Sequence, residues 1–133
     1  MKVFIDGASS GNPGRSGIGV VLCNNADEPV KEISESIGIA TNNVAEYTAL
    51  LRGLEEALAM GWDSVEVYTD SELLAHQTNG RYRVLTPQLI PLHRRALRLL
   101  RMFANASVRH IPRKHNALAD SLAKAAVNAG EGV

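Results

Sequence analysis

The apolar residues first change their period near residue 40, and that switch constrains the fold more than any other feature of the chain. Before it, three stretches read as strands: Lys2–Ser9, 17–23 and 30–39. In the first, Val3 and Ile5 fall on one face and Phe4 and Asp6 on the other. Ser10-Gly11-Asn12-Pro13-Gly14 is dense in turn residues and closes a hairpin, and residues 24–29 form a second turn. Strands joined this tightly predict an antiparallel meander. After the switch, Val44, Tyr47, Leu51, Leu54 and Leu58 recur every three or four residues, one face of a helix that Gly61 stops. Residues 65–69 read as a strand and 71–79 as a short helix. Thr86-Pro87 or Pro91 opens another helix, with Leu89, Leu92, Ala96, Leu99 and Phe103 on its apolar stripe. A last strand at 108–111 and an alanine-rich helix at 116–129 complete the chain.

The order β-β-β-α-β-α-α-β-α predicts an α/β fold with a five-stranded mixed sheet flanked by helices. Helical crossovers set the first, fourth and fifth strands parallel. The 133 residues suffice for one domain, 1–133, with a core that needs no disulfide. Cys23 is the only cysteine, which fits a reducing compartment, so a cytoplasmic location is expected. No stretch approaches the roughly 20 apolar residues of a membrane span, so no membrane partner is expected. Asp6 interrupts the first apolar run, which therefore does not read as a signal peptide. The sequence points to no protein partner, and a monomer is expected.

The formal net charge is zero, but its distribution is uneven. Residues 1–72 carry 12 acidic and 4 basic side chains. Residues 73–119 carry no carboxylate and nine cations: Arg81, Arg83, Arg94, Arg95, Arg98, Arg101, Arg109, Arg113 and Lys114. Gathered on one face, these cations would make a positive field suited to phosphates; scattered, they would only solvate the surface.

In a parallel sheet, ligands are expected outside the carboxyl ends of the strands, where Asp6 and Asp70 fall. On neighbouring strands about 4.8 Å apart, the two carboxylates repel unless a cation or a proton intervenes. Oxygen donors without Cys or His companions favour magnesium or manganese over zinc. Each acidic residue also has a plainer role open to it. Asp70 precedes a helix and can serve as its N-cap. Asn43-Val44-Ala45-Glu46 has capping-box spacing, although Glu46 shares a stripe with Leu50, Gly53 and Ala57, beside the apolar face. Asp120 stands four residues before Lys124, the spacing of an exposed ion pair.

The stretches Phe4-Ile5-Asp6-Gly7-Ala8-Ser9-Ser10-Gly11-Asn12-Pro13-Gly14, Thr41-Asn42-Asn43-Val44-Ala45-Glu46, Tyr68-Thr69-Asp70-Ser71 and Asn116-Ala117-Leu118-Ala119-Asp120 together resemble type 1 ribonuclease H over nearly the whole chain. All four stand in that family's order and spacing. The resemblance implies the ribonuclease H-like fold and an endonuclease that cuts the RNA strand of RNA/DNA hybrids, leaving 5′-phosphate and 3′-hydroxyl ends. It further implies that Asp6, Glu46, Asp70 and Asp120 hold two Mg²⁺ ions, with Mn²⁺ as a substitute. Asn12, Asn42 and Asn43 match positions that reach the hybrid's minor groove, and Ser71 one that meets the backbone. The plainer roles for the asparagines are a turn residue and helix caps.

The chain departs from the best-known family pattern in three places. The histidine-bearing loop is shortened to Pro112-Arg113-Lys114-His115, which leaves His115 as an auxiliary candidate and His110 as a structural residue. The basic protrusion is missing, so the arginine stripe of residues 94–101 is the candidate to take over hybrid binding. Glu72 stands where glutamine is common. Short relatives also accept double-stranded RNA, which the resemblance leaves open. The alternatives are a hybrid-binding module with a weak or inactive site, and a site for another polynucleotide.

Overall fold

The computed structural model describes residues 1–131. Its elements are β1 (Lys2–Ser9), β2 (Gly14–Cys23), β3 (Pro29–Ala40), α1 (Asn42–Ala59), β4 (Ser64–Thr69), α2 (Glu72–Thr78), α3 (Ile90–Leu100), β5 (Asn105–His110), a 3-10 turn (Arg113–His115) and α4 (Ala117–Glu131). The strands form one sheet in the order β3-β2-β1-β4-β5. β1, β2 and β3 pair antiparallel, whereas β4 runs parallel to both β1 and β5, as the helical crossovers require.

The two faces of the sheet are packed differently. Val3, Ile5, Ile18, Val20, Leu22 and Val67 join Leu50 and Leu54 of α1 in the main core. On the other face, Val21, Cys23 and Phe4 pack against Ala119 and Leu122 of α4. β2 is thus covered on both sides, which explains its unbroken apolar run. α4 lies close to β2 because Gly19 has no side chain: a Cβ there would stand 2.1 Å from the Ala119 carbonyl oxygen. Beyond α4, the Phe4 and Tyr68 rings stack at 5.1 Å.

Boundaries shifted where the apolar pattern was thin. β5 starts at Asn105 instead of residue 108, because an edge strand paired only to β4 keeps exposed polar residues at its start. α3 starts at Ile90 with Pro91 in its first turn, which selects Pro91 over Thr86-Pro87 as the opening signal, and it ends before Phe103. β2 begins at Gly14 because the Ser10 amide donates to the Arg15 carbonyl and tightens the hairpin. The nine cations of residues 73–119 are all exposed. No described helix is long and apolar enough to cross a membrane.

Candidate active site

The β1–β4 register decides the centre of the site. Ile5 pairs with Thr69, so the next residues outward, Asp6 and Asp70, stand side by side at the strand ends. Asp70 is not the cap of α2. Ser71 takes that role, its Oγ accepting from the Leu74 amide at 3.2 Å, and the Asp70 carboxylate is left facing Asp6. α1 resolves the same way. Thr41 is its N-cap, with Oγ1 accepting from the Val44 amide at 3.2 Å, so Glu46 makes no capping bond. Leu50, Gly53 and Ala57 of its stripe are buried, and Glu46 turns inward with them. Gly7 permits the approach: a Cβ there would sit 2.4 Å from the Ala45 carbonyl carbon and 2.5 Å from the Glu46 nitrogen.

One carboxylate oxygen from each of Asp6, Glu46 and Asp70 lies within 4.8 Å of the others. Burial, reinforced by the Asp70 charge and a hydrogen bond to Asp120, pushes the Asp6 carboxyl up to about 8. Burial, then the charges of Asp6 and Asp70, hold Glu46 well above the usual carboxylate range. Asp120 moves the other way. Burial opposes its ionisation, but the Lys124 ammonium, the hydrogen bond with Asp6 and the Arg113 charge outweigh it. Lys124 Nζ is 3.0 Å from Asp120 Oδ2, and Arg113 Nη2 is 3.3 Å from Oδ1.

These residues line a cleft of about 590 Å³ that also takes in Ser9, Asn42 and Asn128. The donor set fits a hard divalent cation. It holds only oxygens, it carries excess negative charge, and Glu46 Oε2 is buried without a hydrogen-bond partner among the described residues. A cation would supply the missing partner and remove the reason for the raised proton affinities.

The other sequence candidates fall into three places. Asn42 lines the cleft and Asn43 is exposed beside it on the first turn of α1. Asn12 Oδ1 accepts from the Asn42 amide at 3.1 Å, tying the β1–β2 turn to that helix start. Ser71 is half-buried at the mouth of α2. His115 is exposed but lines a separate apolar pocket with Phe4, Cys23 and Leu118, outside the carboxylate cleft. Arg113 and Lys124 line the cleft instead. Their sequence signal was spacing from Asp120, seven residues before and four after, of which only the latter reads as a contact.

Residues 4–126 match a sequence family described as reverse transcriptase-like. The chain is 42% identical over 96% of its length to a ribonuclease HI of Halobacterium salinarum, and 41% identical to a bifunctional protein of Mycobacterium tuberculosis. It spans 64% and 36% of the lengths of these curated relatives. The crystal structure of an RNase H1 from Halobacterium salinarum superposes with a TM-score of 0.93 at 41% identity, covering 96% of each chain. LC11-RNase H1, of a type isolated from compost by a metagenomic approach and solved in complex with an RNA/DNA hybrid, superposes at 0.91 with 39% identity over 97% of each chain.

Proposed function

Because the chain belongs to the type 1 ribonuclease H family, we propose that it is an endonuclease that hydrolyses the RNA strand of RNA/DNA hybrids, leaving 5′-phosphate and 3′-hydroxyl ends. The observation that carries this reading is the group of Asp6, Glu46 and Asp70 oxygens within 4.8 Å, with Glu46 Oε2 buried and unpartnered among the described residues. A chain that only bound hybrids would have no chemical reason to hold mutually repelling carboxylates together in a cleft.

Asp6, Glu46, Asp70 and Asp120 would hold two magnesium ions, with manganese as a substitute. When bound, these supply an activated water and charge stabilisation for the departing oxygen. The chain's own residues do the rest. Asp6 and Asp70 sit at fixed strand ends and set the reaction centre. Glu46, on the adjoining helix, faces the ribose 2′-hydroxyl, the group that distinguishes RNA from DNA. Asn12, Asn42 and Asn43 present amides that both donate and accept at base edges and hydroxyls. Arg113 and Lys124 keep two positive charges beside Asp120, which offset the charge that a phosphodiester brings into the cleft. Arg94, Arg98 and Arg101 are exposed on and just after α3 and meet backbone phosphates in place of a protrusion.

The test is cleavage of an end-labelled hybrid in magnesium or EDTA, beside duplex RNA, duplex DNA and single-stranded RNA. Magnesium-dependent cutting of the hybrid's RNA strand, absent in Asp70→Asn, is expected. Tight hybrid binding without cutting in either metal would replace the proposal with the binding module. The duplex-RNA lane sets the breadth of the activity.

A further inference from the structure

α4 is held to the sheet unevenly. Its close backbone approaches start at Ala119 in the first turn and continue along the helix, with Gly19 lying against Ala119 and Ala123 and Gly17 against Ala123 and Ala126, and the Ser34 hydroxyl donates to the Leu122 carbonyl at 2.7 Å. Its first turn, which carries Asp120, overhangs a pocket of about 160 Å³ lined by Phe4, Val21, Cys23, Leu118 and Ala119. Asn116 stands at the entry to this turn. It is 1% exposed, and its Nδ2 donates to the carbonyl of Ile5, the residue before Asp6, at 2.8 Å. Its own main-chain carbonyl accepts from the Asp120 amide at 3.0 Å. One residue therefore bonds to the backbone beside Asp6 and to the backbone of Asp120 itself. Among the described residues, no other side-chain bond to main chain joins the first turn of α4 to β1. Asn116 Oδ1 is buried without a hydrogen-bond partner among the described residues, so the side chain is held in place through its Nδ2 bond to Ile5.

We propose that Asn116 is a positioning residue: its amide latches the first turn of α4 to β1 and thereby sets where the Asp120 carboxylate stands relative to Asp6. The inference rests on the metal-holding role given above to the four carboxylates. Asp6, Glu46 and Asp70 are fixed by strand register and by α1, whereas Asp120 is set by this latch together with the Gly19–Ala119 approach and the Arg113 and Lys124 bridges. Loss of the latch lets the first turn settle towards the pocket beneath it, which draws Asp120 away while the other three stay in place.

Asn116→Ala and Asn116→Ser are compared with Ser34→Ala, which removes the other side-chain bond holding α4 and leaves the first turn alone. Two readouts are taken: the magnesium concentration for half-maximal hybrid cleavage, and the magnesium-induced rise in Tm, which needs no turnover. Both Asn116 variants are expected to need about tenfold more magnesium, the usual scale for residues that orient metal ligands. Their kcat falls with the KM for hybrid unchanged, and magnesium raises their Tm less than it raises the parent's. Ser34→Ala keeps the parental magnesium requirement. An unchanged requirement and an unchanged Tm rise in a folded Asn116 variant would overturn the latch. So would a Ser34→Ala requirement that rises as much as theirs. Failure of the parent to cleave hybrid would instead overturn the functional reading, while the Tm readout would still test the latch.

Discussion

Asp70→Asn should stabilise the metal-free protein while abolishing its activity. At 4.8 Å, two unit charges repel by roughly 3 kcal/mol at an effective dielectric constant near 20 and by about 1 kcal/mol in bulk water. Counting only the pair with Asp6, the asparagine gives a gain of about 1–3 kcal/mol wherever that carboxyl is ionised. The pH dependence has a definite sign. The Asp6 carboxyl titrates near 8 in the folded chain against 3.8 when unfolded, so between those values the folded state holds the extra proton. Its contribution to stability is complete below about pH 4 and is lost as pH rises towards 8, at up to about 1.4 kcal/mol per pH unit. Without metal, the parent should lose stability over that window, and Glu46, raised in the same direction, adds to the loss.

Thermal unfolding by circular dichroism in EDTA at pH 5, 7 and 9 measures this directly. At roughly 4 °C per kcal/mol for a domain of this size, Asp70→Asn should melt some 4–12 °C above the parent at pH 9. The gap should narrow as pH falls. Magnesium should raise the parent's Tm and close much of the difference, because a bound cation relieves the same repulsion. A variant that melts below the parent at pH 9, or a gap that does not change with pH, would refute the repulsion argument and the cation site built on it.

Three other substitutions separate scaffold from substrate contacts. Gly7→Ala places a methyl 2.4 Å from the α1 backbone, which must push the helix off β1; Tm should fall by several degrees and activity by at least tenfold, and a parental rate would show that Glu46 does not depend on that approach. Arg98→Ala with Arg101→Ala should raise the KM for hybrid with little change in kcat and flatten the salt dependence of binding by nearly two units of slope; an unchanged slope in a filter-binding titration would remove α3 from the interface. Tyr47→Phe deletes the hydroxyl that donates to Gln77 Oε1 at 2.7 Å in the core and leaves that oxygen unpaired. It should cost roughly 1–3 kcal/mol in urea unfolding while hybrid cleavage stays near the parental rate.

Much of the fold could be read from the sequence because the two faces of the sheet are packed with different chemistry. The alternation in β1 and the three-to-four spacing in α1 survive in the burial of Val3, Ile5, Tyr47, Leu51 and Leu54. The carboxylates were legible because strand ends and residue type coincide at Asp6 and Asp70. What escaped was decided by neighbours competing for one job. Asp70 and Ser71 are adjacent cap formers, and only the bond from the Leu74 amide to Ser71 Oγ shows that Ser71 caps. Thr41 takes α1 in the same way and frees Glu46. His115 was a candidate by its place in the short loop, but the 3-10 turn carries it to the pocket under α4. Asn116 read as the start of a helix, and nothing local announces that its amide is buried against β1.

The four carboxylates are brought together by two different means, with different mechanical consequences. Asp6, Glu46 and Asp70 converge because backbones touch: β4 bonds to β1, and α1 rests on Gly7. Such contacts leave little freedom, so these three crowd together whether or not a cation is present, and their excess charge appears as raised proton affinity. Asp120 comes from the far face of the sheet, on a helix whose close backbone contacts run from Ala119, beside Asp120, against Gly19 to Ala126 against Gly17. Its carboxylate is balanced by Arg113 and Lys124 instead of stranded among like charges. In the proposed function the trio would hold a cation, and Asp120, paired with Arg113 and Lys124, would complete its ligands. In the proposed enzyme, a phosphodiester would therefore meet three carboxylates held by backbone contact and a fourth whose charge is already balanced by side chains.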